Sequence, residues 1–148
     1  MGKTKAILVP TDFSKLSDKA VSYAVDIARQ EGASIYLLHL IGVIQQCSDV
    51  YCLDSTLVEE LEKRSSAQAK TLMEKQVRRL PGLKKVHFKA SVRSGSPYDG
   101  ILLEAEKKKI DLIIMGAHKK KGFIDRFLGS VADKVARGAK CPVLLIKS

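Results

Sequence analysis

The sequence predicts a doubly wound α/β fold: a parallel five-stranded sheet with helices on both faces. Three observations carry that prediction. Short apolar runs recur along the chain, stretches with helical spacing separate them, and most of the runs are continuously apolar rather than alternating. Continuously apolar strands belong to parallel sheets that are buried on both faces and joined by right-handed crossovers. At 148 residues, 45% hydrophobic and 28% charged, the chain has the composition of a globular protein and the length of one domain, 1–148.

The elements follow in order. AILVP (Ala6 to Pro10) is the first strand. The stretch after it places Leu16, Ala20, Tyr23, Ala24 and Ile27 on one helical face, with Gly32 as a C-terminal cap. SIYLLHLI (Ser34 to Ile41) is the second strand. The connection from Gly42 to Asp54 exceeds the usual length and reads as a mobile lid or a partly helical segment. A long helix follows, with capping-box spacing at Thr56 and Glu59 and a buried stripe of Leu57, Leu61, Leu72, Met73, Val77 and Leu80; Pro81-Gly82 stops it. KVHFKASV (Lys85 to Val92) alternates, which predicts a strand near the sheet edge. Ser96, Pro97 and Asp99 supply a hydroxyl cap, a proline at the first helical position and an acid in the first turn. DLIIMG is a central strand, SVADKVARG a short helix and PVLLIKS the last strand.

Twenty-six Lys and Arg against sixteen Asp and Glu give a formal charge of +10, which favours anionic partners without naming one. The runs Lys84-Lys85, Lys107 to Lys109 and Lys119 to Lys121 are spread as solvated faces would be, and no aromatics interleave with them. Nucleic-acid recognition is therefore not expected. No run approaches the roughly 20 apolar residues of a membrane span, and the basic start is followed by too short an apolar stretch for a secretory signal. A cytoplasmic location is expected, and three cysteines do not make a disulfide framework. The spacing of Cys47 and Cys52 fits neither a common zinc site nor a redox pair, and Cys141 reads as a small buried residue.

In doubly wound sheets, ligands sit beyond the carboxyl ends of the strands where the strand order reverses. If the order is 3-2-1-4-5, the loop PTDFS after strand one meets the segment from Gly116 after strand four. Gly116 after a strand and Gly129-Ser130 at the head of a helix supply the parts of a phosphate cradle: close backbone approach and a helix N-terminus. The same residues also serve a plain turn and an N-cap in which Ser130 pairs with Asp133. His39 reads as a satisfied core histidine and His87 as outward-facing. Neither a nucleophile elbow nor a full phosphate-loop motif is present, so efficient catalysis is not expected beyond, at most, slow hydrolysis of a bound nucleotide.

The chain resembles the universal stress proteins. The resemblance is carried by ILVPTDFS, LLHLI, GSPYDGILLEA, DLIIMGAH and above all FLGSVADKVARGAKCPVLLIK, and covers nearly the whole length. It implies the order 3-2-1-4-5, homodimers formed through the last strand (Pro142 to Ile146), and, in one subgroup, binding of ATP or AMP, with which a divalent metal can travel. That subgroup's pattern is Gly, two residues, Gly, nine residues, then Gly with Ser or Thr. Gly116, Gly129 and Ser130 match; Lys119 stands where the second glycine belongs, and Gly122 follows three residues later.

By the same resemblance Asp12 faces the adenine and ribose, Pro10 and Thr11 shape that wall, and His118 lies in the phosphate loop. Ile41 and Val92, ending strands two and three, are candidate walls for the base or ordinary core residues, and Met115 and Val131 flank the glycines. For Asp12 and Ser14 the plainer role is to cap the first helix. A left-handed backbone at Lys119 costs roughly 1 to 2 kcal/mol. In an ordinary conformation its ammonium instead contributes roughly 1.5 to 3 kcal/mol to a phosphate contact. The two functions implied are a nucleotide-responsive regulatory module and, alternatively, a stress-induced dimeric interaction protein in which Lys119 closes the site.

Overall fold

The computed structural model describes residues 2–42, 55–118 and 129–147. The sheet contains β1 (Ala6–Pro10), β2 (Ser34–Ile41), β3 (His87–Ser94), β4 (Leu112–Ala117) and β5 (Val143–Lys147), all parallel, in the order β3-β2-β1-β4-β5. The helices are α1 (Lys15–Glu31), α2 (Ser55–Arg79), α3 (Pro97–Lys107) and α4 (Ser130–Gly138). Five strands, four helices and the strand order agree with expectation. A turn of 3-10 helix, Pro81–Lys85, is added where a simple stop was expected, so β3 starts at His87 rather than Lys85.

The unbroken apolar runs have a direct cause. Ile7 and Val9 of β1 enter the core on the α1 and α2 side, while Leu8 enters the core on the α3 and α4 side. On β4, Ile114 joins the first core, and Ile113, Met115 and Ala117 join the second. Alternate side chains point to opposite faces, so a strand covered on both faces must be apolar at every position. β3 lies at the edge as expected, with no fully buried position, but its burial does not strictly alternate: Phe88 and Val92 are half-buried, whereas Ala90 is exposed and Ser91 half-buried.

Several helix details differ from the reading of the sequence. Tyr23 is 47% exposed, and the buried stripe of α1 runs through Val21, Val25 and Ala28 together with the expected Leu16, Ala20 and Ala24. Small residues let α1 sit close over β1 and β4, and the bulkier Tyr23 is turned away. Gly32 does cap α1, at φ 73 with its N–H on the Ala28 carbonyl. On α2, Leu57 is exposed because its neighbour Val58 takes the inward position, and the helix already starts at Ser55, which places Thr56 inside the first turn. Ser96 precedes α3 without a side-chain cap bond, so the start rests on Pro97 at the first helical position. The residues of the 42–54 connection beyond Gly42, with Cys47 and Cys52, lie outside the described residues. Cys141 is half-buried, and burial raises its thiol pKa.

Gln76, a polar residue of α2, is fully buried. Thr11 Oγ1 donates to its carbonyl (3.0 Å), and its amide donates to Asp18 Oδ1 (2.9 Å). Arg79 donates to both oxygens of Asp18 (2.8 and 3.0 Å) and to the Phe13 carbonyl (3.2 Å). This chain of bonds fastens the end of α2 to the loop after β1. We predict that Gln76→Ala lowers unfolding free energy by about 2 kcal/mol or more in urea titration, since it leaves buried polar partners unpaired, whereas exposed Lys75→Ala stays within about 0.5 kcal/mol. Equal effects would contradict the network's role.

Candidate functional site

Right-handed crossovers fix which face each helix covers. The chain steps one way from β1 to β3 and the other way from β4 to β5, so α1 and α2 cover one face and α3 and α4 the other. The connections after β1 and β4 therefore diverge, and a cleft opens between them at the carboxyl ends of the strands. A cavity of about 330 Å³ lies there.

One wall is the loop after β1. Thr11 N donates to the Leu38 carbonyl (2.8 Å), extending the pairing of β1 with β2 by one bond. Asp12 Oδ1 then accepts from Ser14 N (3.0 Å) and Ser17 Oγ (2.6 Å), while Ser14 caps α1 by accepting from Ser17 N (3.2 Å). The cap proper is thus Ser14, and Asp12 braces the turn before it. Phe13 takes a left-handed φ of 67, unusual for a non-glycine residue. Its N–H bonds Thr11 Oγ1 (3.0 Å), and its ring lies 4.3 Å from that of His39. His39 donates from Nδ1 to the Thr11 carbonyl (2.7 Å), which makes it the satisfied histidine expected, although it also borders the cavity.

The opposite wall is the end of β4 and the start of α4. Met115, Gly116, His118, Gly129, Ser130 and Val131 all border the cavity. The glycines have packing reasons to be glycine. A Cβ on Gly116 would sit 2.8 Å from Leu16 Cγ, and one on Gly129 would sit 2.9 Å from the His118 carbonyl oxygen. Gly129, not Ser130, is the N-cap, and among the described residues no side chain caps the first-turn N–H groups of α4. Those donors are left at the edge of the cavity. Lys119 and Gly122 lie outside the described residues.

His118 crosses the mouth. Its Nε2 is 2.9 Å from Asp12 Oδ2 and 3.4 Å from Ser14 Oγ. Aspartate, serine and histidine are together here, but both partners meet the same ring nitrogen. A catalytic triad needs the carboxylate on one nitrogen and the hydroxyl on the other, so this arrangement does not activate Ser14. Burial opposes ionisation of Asp12, but the bonds from Ser14 and Ser17 and the neighbouring His118 outweigh it and lower its pKa from 3.8 to about 2. The cleft thus presents a carboxylate at one end and, among the described residues, helix N–H donors without a side-chain cap at the other. Among the described residues, no cluster of three His, Cys, Asp or Glu side chains could hold a metal ion.

Pro10, Thr11, Asp12, Met115, Gly116, His118, Gly129, Ser130 and Val131 are thus brought together, and Ile41 and Val92 are not. Side-chain parity is the reason. Ile35 and Leu37 of β2 enter the α1 and α2 core, whereas Leu38 and Leu40 face the cavity with Ile101 of α3; His39, of odd parity, borders the cavity beside Thr11. Val92 packs on the α1 and α2 core and borders a separate groove with Met73 and Phe88. The crossover rule combined with alternation along β2 would have selected Leu40 over Ile41.

The sequence matches the universal stress protein family over residues 3–147. The chain belongs to the universal stress protein family. Universal stress protein MJ0531 of Methanocaldococcus jannaschii is 34% identical over 97% of this chain and 82% of its own length. The solved structure of MJ0577 from the same organism has a TM-score of 0.83 at 29% identity, covering 99% of this chain and 98% of that one. A family member from Arabidopsis thaliana, solved with AMP bound, shares the fold at a TM-score of 0.65 and 20% identity, over 97% of this chain and 91% of that one.

The lowered pKa of Asp12 has a consequence of definite sign. Its contribution to stability is complete above about pH 4 and disappears as the pH falls towards about 2. We predict that Asp12→Asn flattens the loss of unfolding free energy between about pH 4 and 2, measured by urea titration at each pH. An unchanged slope would show that the carboxylate is not held ionised by this turn.

Proposed function

We propose that the cleft binds an adenine nucleotide, ATP or AMP, and that the protein is a nucleotide-responsive stress module rather than an efficient catalyst. One observation carries this reading: a carboxylate at the end of β1 and a helix N-terminus after β4, without a side-chain cap among the described residues, border the same cavity. A nucleotide has matching chemistry at its two ends. Ribose hydroxyls donate to a carboxylate, and phosphate oxygens accept from N–H groups at a helix N-terminus. Leu38, Leu40, Ile101 and Met115 offer apolar surface for the base, and about 330 Å³ lies within the range of small-molecule sites. The AMP-bound relative supports the choice of adenine.

On binding, Asp12 exchanges His118 for the ribose, and His118 is released towards the phosphates. A divalent metal, if it accompanies ATP, is held by the phosphates rather than by a protein cluster. The second reading, a stress-induced interaction protein that binds no nucleotide, is favoured by one observation: Asp12 already has Ser14, Ser17 and His118 as partners. In either reading a homodimer forms through Pro142 to Ile146. β5 is an edge strand, and its Leu144 is 37% exposed.

Thermal unfolding with ATP, ADP, AMP or a non-nucleotide polyanion separates the two readings. Adenine nucleotide at about 100 times its Kd should add about 2.7 kcal/mol, and the gain should vanish in Asp12→Ala. Adenine-independent behaviour up to millimolar concentration would sink the first reading, and binding that appears only in Lys119→Gly would assign the silence to that lysine. For the dimer, sedimentation should show Leu144→Lys shifted to monomer; an unshifted variant would remove β5 from the interface.

A further inference from the structure

The positive charge, spread in the sequence, is gathered by the fold. In a parallel sheet every segment that leads into a strand lies at the same end of the molecule. Here that end is opposite the cleft. Register and bonding confirm the alignment of these entry segments: Ala6 pairs with Ser34 and Ser34 with His87, while Lys5 N and Ala6 N both donate to Asp111 Oδ2 (2.7 and 2.8 Å). Lys3 and Lys5 precede β1, Lys84 and Lys85 precede β3, Lys107, Lys108 and Lys109 precede β4, and Lys140 precedes β5. All eight are exposed.

Against them stand Glu31, Glu106 and Asp111, of which Glu31 and Asp111 are engaged by backbone N–H groups. Among the described residues none of the eight lysines is in an ion pair; Lys108 alone has a ring partner, Tyr36, at 5.7 Å. Favourable placement at a helix C-terminus accounts for Lys107 and Lys108. It does not account for Lys3, Lys5 or Lys140, which lie in no helix.

We propose that this lysine pole is a second binding surface, distinct from the cleft, for the phosphate backbone of double-stranded nucleic acid, bound without regard to sequence. Protein partners are usually anchored by clustered aromatic or arginine side chains; here lysines dominate, Tyr36 lies beneath Lys108, and the arginines are one at each of two helix ends, Arg29 and an Arg137 already bonded to Asp133. A membrane surface would call for exposed apolar residues to insert; among the described residues the exposed large apolar side chains, Tyr23, Leu57, Leu103 and Leu144, all lie outside the strand-entry segments. Lysines act as compact point charges that neutralise phosphates without reading bases. The four strand spacings from β3 to β5 span about 19 Å, a length over which a duplex carries about 11 phosphates.

The test compares two quadruple variants of the full chain, each losing the same net charge. One carries Lys84→Gln, Lys85→Gln, Lys107→Gln and Lys109→Gln. The other carries Lys15→Gln, Lys19→Gln, Lys63→Gln and Lys70→Gln, all exposed and outside the pole. Binding to a short mixed-sequence DNA duplex is followed by fluorescence anisotropy across a salt series, alongside sedimentation with phosphatidylserine-rich vesicles, and circular dichroism verifies that both variants are folded. For contact with about five phosphates, log K should fall with log salt at a slope of about −4 to −5. The pole variant should lose at least about tenfold in affinity and about 3 to 4 units of slope, and the control should lose much less. Equal losses in the two variants would overturn the proposal, because binding would then follow net charge alone. Pole-dependent binding to vesicles without binding to duplex would also overturn it.

Discussion

The parallel direction of the five strands is the constraint on which the rest of the molecule depends. It forces a helix between every pair of strands, buries the central strands on both faces and sorts the connections into two ends. The change of stepping direction between β1 and β4 then opens one cleft at the carboxyl end. No single side chain makes that cleft, and the loops that border it are placed before any ligand chemistry is considered.

Local bonding makes the cleft wall rigid. Thr11 lies at the centre: its N–H continues the β1–β2 pairing, its hydroxyl serves Phe13 and Gln76, and its carbonyl takes the His39 proton. Asp12 follows with its carboxylate turned into bonds from Ser14 and Ser17. The loop is thus tied to α1, to β2 through His39 and to α2 through Gln76 and Arg79. A nucleotide that displaced His118 from Asp12 would act directly on a turn bonded to the end of α2, a route from the cleft to the far side of the sheet.

The layer pattern, the strand order and the capping of α1 by Gly32 were legible in the sequence, because each rests on local composition or on resemblance along the chain. The side-chain partners were less so. Gln76 reads as a surface residue of a charged helix until Thr11 and Asp18, far away in sequence, are seen around it. Ile41 and Leu40 are equally apolar, and only their parity relative to the helices separates them. Gly116 reads as a phosphate-loop glycine, yet Leu16 of α1 already requires the absence of a Cβ there. The lysines read as solvated faces because their runs are scattered; parallel topology alone collects them at one end.

The central claim is that anions of two kinds are received at opposite ends of one sheet. Titrating isotope-labelled protein with AMP and following backbone amide shifts by NMR tests it most directly. Shifts should be confined to Thr11 through Ser14, His118 and Gly129 through Ala132, with the amides of Lys84, Lys85 and Lys107 to Lys109 unmoved. Shifts concentrated on those lysines, with the cleft silent, would contradict it.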